Sequence, residues 1–143
     1  GITGHHDPYV HLEALQYHEL MDTMQFSMSC LDPHYRSFIK LVLPKLVEYD
    51  IGLLAMKTVA RGRIPRHKVA TVDECLRFAW THPISVLISG CDLPEHVRHN
   101  VRQAVNFTPY TEQEMEELLV RTAPFKKRID IEYYKKMSED DKR

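Results

Sequence analysis

Polar residues able to bind or catalyse recur at the ends of four short apolar runs in this chain. The groups are Thr3-Gly4-His5, Gln25 with Ser27 and Ser29, Lys57-Thr58 with Ala60-Arg61-Gly62-Arg63, and Ser89-Gly90. If each run is a strand of a parallel sheet, these residues converge on one edge, because ligands bind at the carboxyl ends of such strands. Arg61 and Arg63 flank a glycine that lets the backbone approach closely, and this combination favours an anionic ligand.

The apolar runs predict four strands, at residues 1–4, 24–28, 51–56 and 84–88. A stretch with helical periodicity follows each of them, and strand–helix alternation of this kind builds a parallel sheet. Four units are roughly half of an eight-unit TIM barrel of about 250 residues. The predicted fold is therefore α/β and half of a (β/α)8 barrel, with the first strand already shortened. We expect the polypeptide to be a fragment of a longer protein.

Capping residues place the helices. Asp7-Pro8 and Asp32-Pro33 each resemble an N-cap followed by proline, and the first predicts a helix over 8–21 that buries Leu12 and Leu15. A helix over 37–49 is expected to kink at Pro44. Capping boxes begin at Thr71 and Thr111.

The segment Asp92-Leu93-Pro94-Glu95 predicts one more helix, whose positive end points toward the same edge of the sheet. Its apolar side is expected to face inward through Leu93, Val97, Val101 and Ala104. No strand precedes the helix that starts at Thr111, so we interpret it as an appended C-terminal helix. The predicted division is a half-barrel over 1–122 and a charged C-terminal tail over 123–143, disordered from 138 to 143.

Charge and cysteine content narrow the class of protein. The 19 basic and 20 acidic side chains give a net charge of -1, which predicts neither a nucleic-acid partner nor a membrane surface. Cys30, Cys75 and Cys91 are widely spaced, so free thiols in a reducing, cytoplasmic compartment are expected. No metal site is expected, because the adjacent side chains of His5-His6-Asp7 diverge.

The ordered set of motifs resembles the aldo/keto reductase family. The residues are Gly1-Ile2-Thr3-Gly4-His5, then Gln25, then Ala55-Met56-Lys57 with Ala60-Arg61-Gly62, then Ile88-Ser89-Gly90 and Pro94-Glu95-His96. The resemblance is to a bacterial branch with a G-x-T-G-H start and a strand that ends in Met-Lys. It covers about residues 1 to 122 and implies the C-terminal half of that family's barrel.

The resemblance implies an oxidoreductase that uses a nicotinamide cofactor, NADP with NAD as the alternative, to reduce a small carbonyl substrate to an alcohol. It places Thr3 and Gln25 against the nicotinamide carboxamide. Gly4 stands where the family usually has Asn. Met56 replaces the aromatic ring that commonly stacks on the nicotinamide, and offers a polarisable face instead.

The same resemblance assigns the rest of the cofactor. It implies that Lys57, Arg61 and Gly62 bind the pyrophosphate and that Gly90 and Asn100 contact the adenosine end. His96 stands where an arginine commonly grips the 2′-phosphate, and its pH-dependent charge leaves the choice between NADPH and NADH open.

The family's catalytic Asp, Tyr, Lys and His would all precede Gly1, so no catalytic residue is assigned and the chain alone is expected to be inactive. Two other functions stay open. One is a cofactor-sensing or regulatory module on the same scaffold, and the other is a lyase fragment in which Lys57 forms a Schiff base. The expected partner is the missing N-terminal half-barrel, or a second copy that associates through exposed sheet edges.

Overall fold

A computed structural model describes residues 1–136 of the 143-residue chain. In this described part, four strands form one parallel sheet in the order in which they occur along the chain. They are β1 (Ile2–Thr3), β2 (Thr23–Ser27), β3 (Gly52–Met56) and β4 (Val86–Leu87). The parallel strand–helix pattern predicted from the sequence is confirmed, although β1 and β4 have only two residues each.

Within residues 1–136, seven α-helices connect and follow these strands. They are α1 (Pro8–Ala14), α2 (Phe38–Leu41), α3 (Leu43–Glu48), α4 (Arg63–Arg66), α5 (Val72–Thr81), α6 (Pro94–Val105) and α7 (Glu112–Thr122). Short 3-10 turns lie at Leu15–Leu20, Asp32–His34, Ala123–Phe125 and Tyr133–Lys135. None of the helices within residues 1–136 is both long and apolar enough to cross a membrane.

Local sequence signals set most helix boundaries. Asp7 caps α1 by accepting a hydrogen bond from the backbone N–H of Tyr9 at 2.9 Å. The helix predicted over 8–21 is shorter than expected, because Tyr17 has non-helical dihedrals (φ -109°, ψ 28°) inside a 3-10 turn. Pro44 lies in the first turn of α3, which separates α3 from α2 as predicted.

Both predicted capping boxes are present. The side chain of Thr71 accepts from the backbone N–H of Glu74, and Glu74 accepts from the N–H of Thr71. Thr111 and Glu114 repeat this arrangement at the start of α7. Each box satisfies backbone donors that the first helical turn leaves without partners, which explains why these two helices begin where the sequence indicates.

The sheet has one covered and one open face. Met24 and Phe26 of β2 are fully buried, as is Ala55 of β3, and they pack with the helices in the hydrophobic core. The alternate positions Gln25 and Met56 are only partly buried. Because side chains alternate across a strand, these two residues lie on the face that a closed barrel would enclose.

The predicted inward packing of α6 is wrong. Leu93, Val97 and Val101 are 54%, 50% and 55% exposed, Ala104 is also exposed, and no residue of α6 is buried. The helix follows β4, which is an edge strand of the described sheet. No further strand lies beside β4 in the described part of the chain, so the apolar side of α6 has no sheet to pack against. The N-cap of α6 is Leu93, and it makes no side-chain capping bond.

Candidate functional site

Three of the predicted cofactor residues come together on neighbouring strands: Thr3 at the end of β1, Gln25 in the middle of β2 and Met56 at the end of β3. Thr3 pairs in register with Gln25, and the backbone N–H of Gly4 donates to the carbonyl of Gln25 at 3.0 Å. The Nε2 amide of Gln25 donates to the Met56 sulfur at 3.2 Å. A hydroxyl, an amide and a thioether thus border one patch on the open face of the sheet. This patch offers hydrogen-bonding groups and a polarisable surface, a combination that suits a flat polar ring.

The loop after β3 has an unusual backbone. Lys57, Ala60, Arg61 and Gly62 have φ values of 58°, 48°, 54° and 75°, in the left-handed region that non-glycine residues rarely adopt. Each of the three non-glycine residues costs on the order of 1–3 kcal/mol, and such strain concentrates where chains bind ligands. Gly62 is also the N-cap residue of α4 and provides no capping side chain.

The rim of the sheet carries positive charge. The pKa of His5 is lowered, first by burial and then by the charges of Lys57, His6 and Arg61. His5 belongs to the loop after β1, and Lys57 and Arg61 belong to the loop after β3, so charges of both loops act at this rim. A mostly neutral His5 beside two permanent cations leaves this rim attractive to an anion.

The residues predicted for the adenosine end form a separate group around β4 and α6. The side-chain amide of Asn100 donates to the Ser89 hydroxyl at 2.9 Å and to the Cys91 sulfur at 3.3 Å. Gly90, between these partners, is exposed, and a Cβ there would meet no atom within 4 Å. His96 is exposed in the first turn of α6.

Sequence reasoning missed the C-terminal segment (residues 126–136), which folds back onto the rim. Glu132 and Lys135 are buried there, although both are ionisable. The Ser29 hydroxyl donates to Glu132 at 2.8 Å, and the Lys135 ammonium donates to Asp32 at 2.6 Å. The division of the chain at 122/123 stays a prediction, and the expected disorder of 138–143 lies outside the described residues.

The role of Asp32 differs from the N-cap role predicted for it. Its carboxylate accepts from the Ser37 hydroxyl at 2.8 Å and from the backbone N–H groups of Phe38 and Ile39 at 3.2 and 2.9 Å. The 3-10 turn that contains Asp32 has Leu31 as its N-cap. Asp32 therefore caps the following helix, α2, across the turn.

The C-terminal segment also covers the loops after β1 and β3. The Tyr133 ring centre lies 4.6 Å from the guanidinium carbon of Arg63 and 5.8 Å from that of Arg61. Nδ1 of His6 lies 2.9 Å from the carbonyl oxygen of Tyr134. The available sequence signal was a set of apolar and aromatic residues among the charges, namely Ile129, Ile131, Tyr133 and Tyr134.

Burial changes the acid–base properties of this segment. It raises the pKa of Glu132, against the opposing charge of Lys135 and the hydrogen bond from Ser29. It also raises the pKa of Tyr134, whose hydroxyl donates to Glu132 at 3.0 Å. A tyrosine with a raised pKa is a poor proton donor, so Tyr134 acts in packing and not in proton transfer. Within residues 1–136, no three His, Cys, Asp or Glu side chains are grouped to hold a metal ion.

Comparison with known proteins places the fold. No protein-family model matches the chain, and no curated protein matches it. Along its whole length the chain is similar to the solved structure of aldo-keto reductase AKR11C1 from Bacillus halodurans in its holo form, with 17% identity and a TM-score of 0.67. The apo form gives 15% identity and a TM-score of 0.65.

The chain spans about half of that reductase, covering 52% of the holo chain and 53% of the apo chain. The four parallel strands with their helices are thus half of an aldo/keto reductase-like (β/α)8 barrel, and the fold predicted from the sequence is confirmed. At this level of identity the likeness establishes the fold alone.

Proposed function

We propose that this chain is the cofactor-binding, C-terminal half of an NAD(P)H-dependent oxidoreductase of the aldo/keto reductase type, which reduces a carbonyl to an alcohol. The observation that carries the proposal is the row formed by Thr3, Gln25 and Met56 on the open face of the half-barrel. It lies beside a loop with cationic side chains and a left-handed backbone. The whole-length likeness to half of AKR11C1 supports the scaffold.

In this proposal the cofactor supplies the hydride that reaches the carbonyl carbon. Thr3 and Gln25 bind the carboxamide of the nicotinamide and so fix which face of the ring points into the barrel. Met56 packs against the ring and excludes water from it. The cations Lys57 and Arg61 bind the pyrophosphate, and Gly62 allows the backbone to approach it.

The adenosine end is assigned to the group around β4. Gly90 leaves room beside the phosphate, and the amide of Asn100 faces the adenine after exchanging its bonds to Ser89 and Cys91. His96 is assigned to a 2′-phosphate, so NADP is the proposed cofactor and NAD is the alternative.

The other half of the barrel provides the acid–base residues and part of the substrate pocket, so the chain alone is inactive toward its carbonyl substrate. We propose that this half packs on the exposed apolar side of α6 and on the open edges of the sheet, in a cytoplasmic protein. Self-association of the chain through the same edges is the alternative, and it predicts a dimer where a complete barrel predicts a monomer.

NADPH binding to the protein tests the proposal, measured by the shift in cofactor fluorescence. Arg61→Gln is expected to weaken binding about tenfold or more, because charge-assisted hydrogen bonds to a phosphate contribute about 1.5–3 kcal/mol. Arg66→Gln, at an exposed position on the adjacent α4, is the matched control and should bind as the wild type does. Equal affinities for these two variants, or an absence of binding, would contradict the proposed site.

One observation favours the cofactor-sensing alternative. The Gln25 amide is already hydrogen-bonded to Met56, and Gly4 stands where the resembled family has an asparagine, so fewer groups remain for the nicotinamide. Turnover separates the two functions. A reductase oxidises NADPH in the presence of aldehydes once both halves are present, whereas a sensing module binds NADPH without consuming it.

A further inference from the structure

The C-terminal segment contacts two arginines of the loop after β3, namely Arg61, which belongs to the proposed pyrophosphate site, and its neighbour Arg63. An Nη1 hydrogen of Arg63 is donated to the backbone carbonyl of Asp130. The Tyr133 ring lies over the guanidinium groups of both Arg61 and Arg63. A phosphate needs guanidinium N–H donors for paired hydrogen bonds, so one donor of Arg63 is unavailable while the segment is docked.

One buried side chain fixes the other end of this segment. The Lys135 ammonium donates to Asp32 at 2.6 Å and to the carbonyl of Tyr35 at 3.0 Å, and lies 3.6 Å from Glu132. The contacts of Asp130 and Arg63, by contrast, are exposed to solvent. Ile131 and Tyr134 are buried as well, so the segment is anchored in the core along residues 131–135, and its contact with Arg63 is the exposed part.

We propose that the C-terminal segment is an autoinhibitory strap that competes with a phosphate-bearing ligand for Arg61 and Arg63. The inference rests on the proposed function, which assigns the anion to this loop. Binding and release are linked reciprocally: a phosphate at Arg63 displaces the carbonyl of Asp130, and release of Lys135 raises the affinity for the phosphate. The ligand class is a pyrophosphate group, as in a dinucleotide.

The test uses the full chain with Lys135→Met, which removes the buried charge and retains a side chain of similar length. Lys136→Met, at the exposed neighbouring position, is the matched control. Release of the strap is measured as the rate of trypsin cleavage after Lys127 and Arg128. Calorimetry measures the affinity for inorganic pyrophosphate and for NADPH.

We expect faster cleavage of Lys135→Met and about tenfold tighter pyrophosphate binding, because a ligand that selects a minor open state gains affinity when that state becomes the major one. Lys136→Met should match the wild type in both measurements. Arg63→Gln, added to Lys135→Met, should remove the gain. Faster cleavage with unchanged pyrophosphate affinity would overturn the competition, and unchanged cleavage would overturn the role of Lys135.

Circular dichroism establishes whether Lys135→Met folds, and Tyr133→Ala replaces it if it does not. Tyr133 is only partly buried, so its loss should free the arginines without unpairing a buried charge. If the released variants bind pyrophosphate more tightly but do not bind NADPH, the strap proposal stands and the proposed dinucleotide-binding function is contradicted. If NADPH binds with the same affinity whether or not the strap is released, the proposed function stands and the strap proposal is contradicted. Failure of both ligands to bind the released variants overturns both proposals.

Discussion

The Nζ atom of Lys135 lies 2.6 Å from Oδ1 of Asp32, and the two side chains are 1% and 0% exposed. The pair joins residues 103 positions apart, the C-terminal segment and the loop after β2. The same carboxylate accepts from two backbone N–H groups of α2, so one buried anion organises three parts of the chain. Such a pair contributes to specificity as long as both partners stay in place.

Loss of the cation at position 135 is expected to destabilise the chain by about 3–5 kcal/mol, since Asp32 would remain as a buried charge with no counterion. Urea denaturation of Lys135→Met measures this loss. Asp32→Asn combined with Lys135→Met should cost less than the sum of the two single changes, because neither charge is then left alone. A Lys135→Met stability within about 0.5 kcal/mol of Lys136→Met would contradict the burial of this pair.

The stability of the chain should fall as the pH drops below 6.5, in part because of His11. Burial lowers the pKa of His11 from its ordinary value of 6.5, so at mildly acid pH the unfolded chain binds a proton there that the folded chain does not. The contribution of His11 to the free energy of unfolding is therefore complete above pH 6.5 and is lost as the pH falls toward the lowered pKa.

The imidazole of His11 packs edge-on against Phe38 and Phe26, with ring centres 5.0 and 6.2 Å apart. His11→Phe keeps an aromatic ring without a titrating group, so its free energy of unfolding should change less between pH 7 and pH 5 than that of the wild type. His96→Phe, at an exposed site, should keep the wild-type profile. Thermal or urea unfolding over this pH range provides the measurement, and identical profiles for all three proteins would count against the assignment.

Features that depend on neighbouring residues could be predicted from the sequence. The two capping boxes predict the starts of their helices, because both partners of each box lie within four positions of the sequence. The pairs are Thr71 with Glu74 and Thr111 with Glu114. The convergence of Thr3 and Gln25 followed from the strand pattern, since parallel register brings strand ends together, whereas Met56 was assigned through the family resemblance.

Features that depend on distant or absent partners could not be predicted. The spacing of Val97 and Val101 correctly indicates an apolar helix side, but not whether a layer exists to cover it. Glu132 and Lys135 belong to a stretch whose composition indicates a solvated tail, and their burial depends on Ser29 and Asp32 about a hundred positions earlier. The left-handed backbone at Lys57 and Arg61 was also missed, because neither residue type favours it.

Two glycines of the rim are expected to differ in their tolerance of a methyl group. At Gly4 a Cβ would lie 2.6 Å from Cε1 of the buried His11 ring, so Gly4→Ala should cost about 1–3 kcal/mol through forced repacking. At Gly90 a Cβ would meet no atom within 4 Å, and Gly90→Ala should be neutral within about 0.5 kcal/mol. Urea denaturation of the two variants measures the difference, and equal effects would show that the loop after β1 is not packed on His11.

The exposed apolar side of α6 leads to a prediction that separates stability from association. Val97→Glu with Val101→Lys places an oppositely charged pair four positions apart on side chains that are 50% and 55% exposed. Since these side chains are not in the core, the free energy of unfolding should change by no more than about 0.5 kcal/mol. Leu118→Ala in α7, at a position only 3% exposed, should instead cost about 2–5 kcal/mol.

Light scattering then shows what the α6 surface binds. If copies of the chain associate through it, the double substitution should lower the average mass of the particles at micromolar concentration, because moving two charged side chains out of water into an apolar interface is unfavourable. If the surface belongs against the other half of the barrel, the substitution should instead weaken reassembly of the two halves. Destabilisation of the isolated chain as large as that of Leu118→Ala would contradict both outcomes, since it would show that α6 is already covered within one copy.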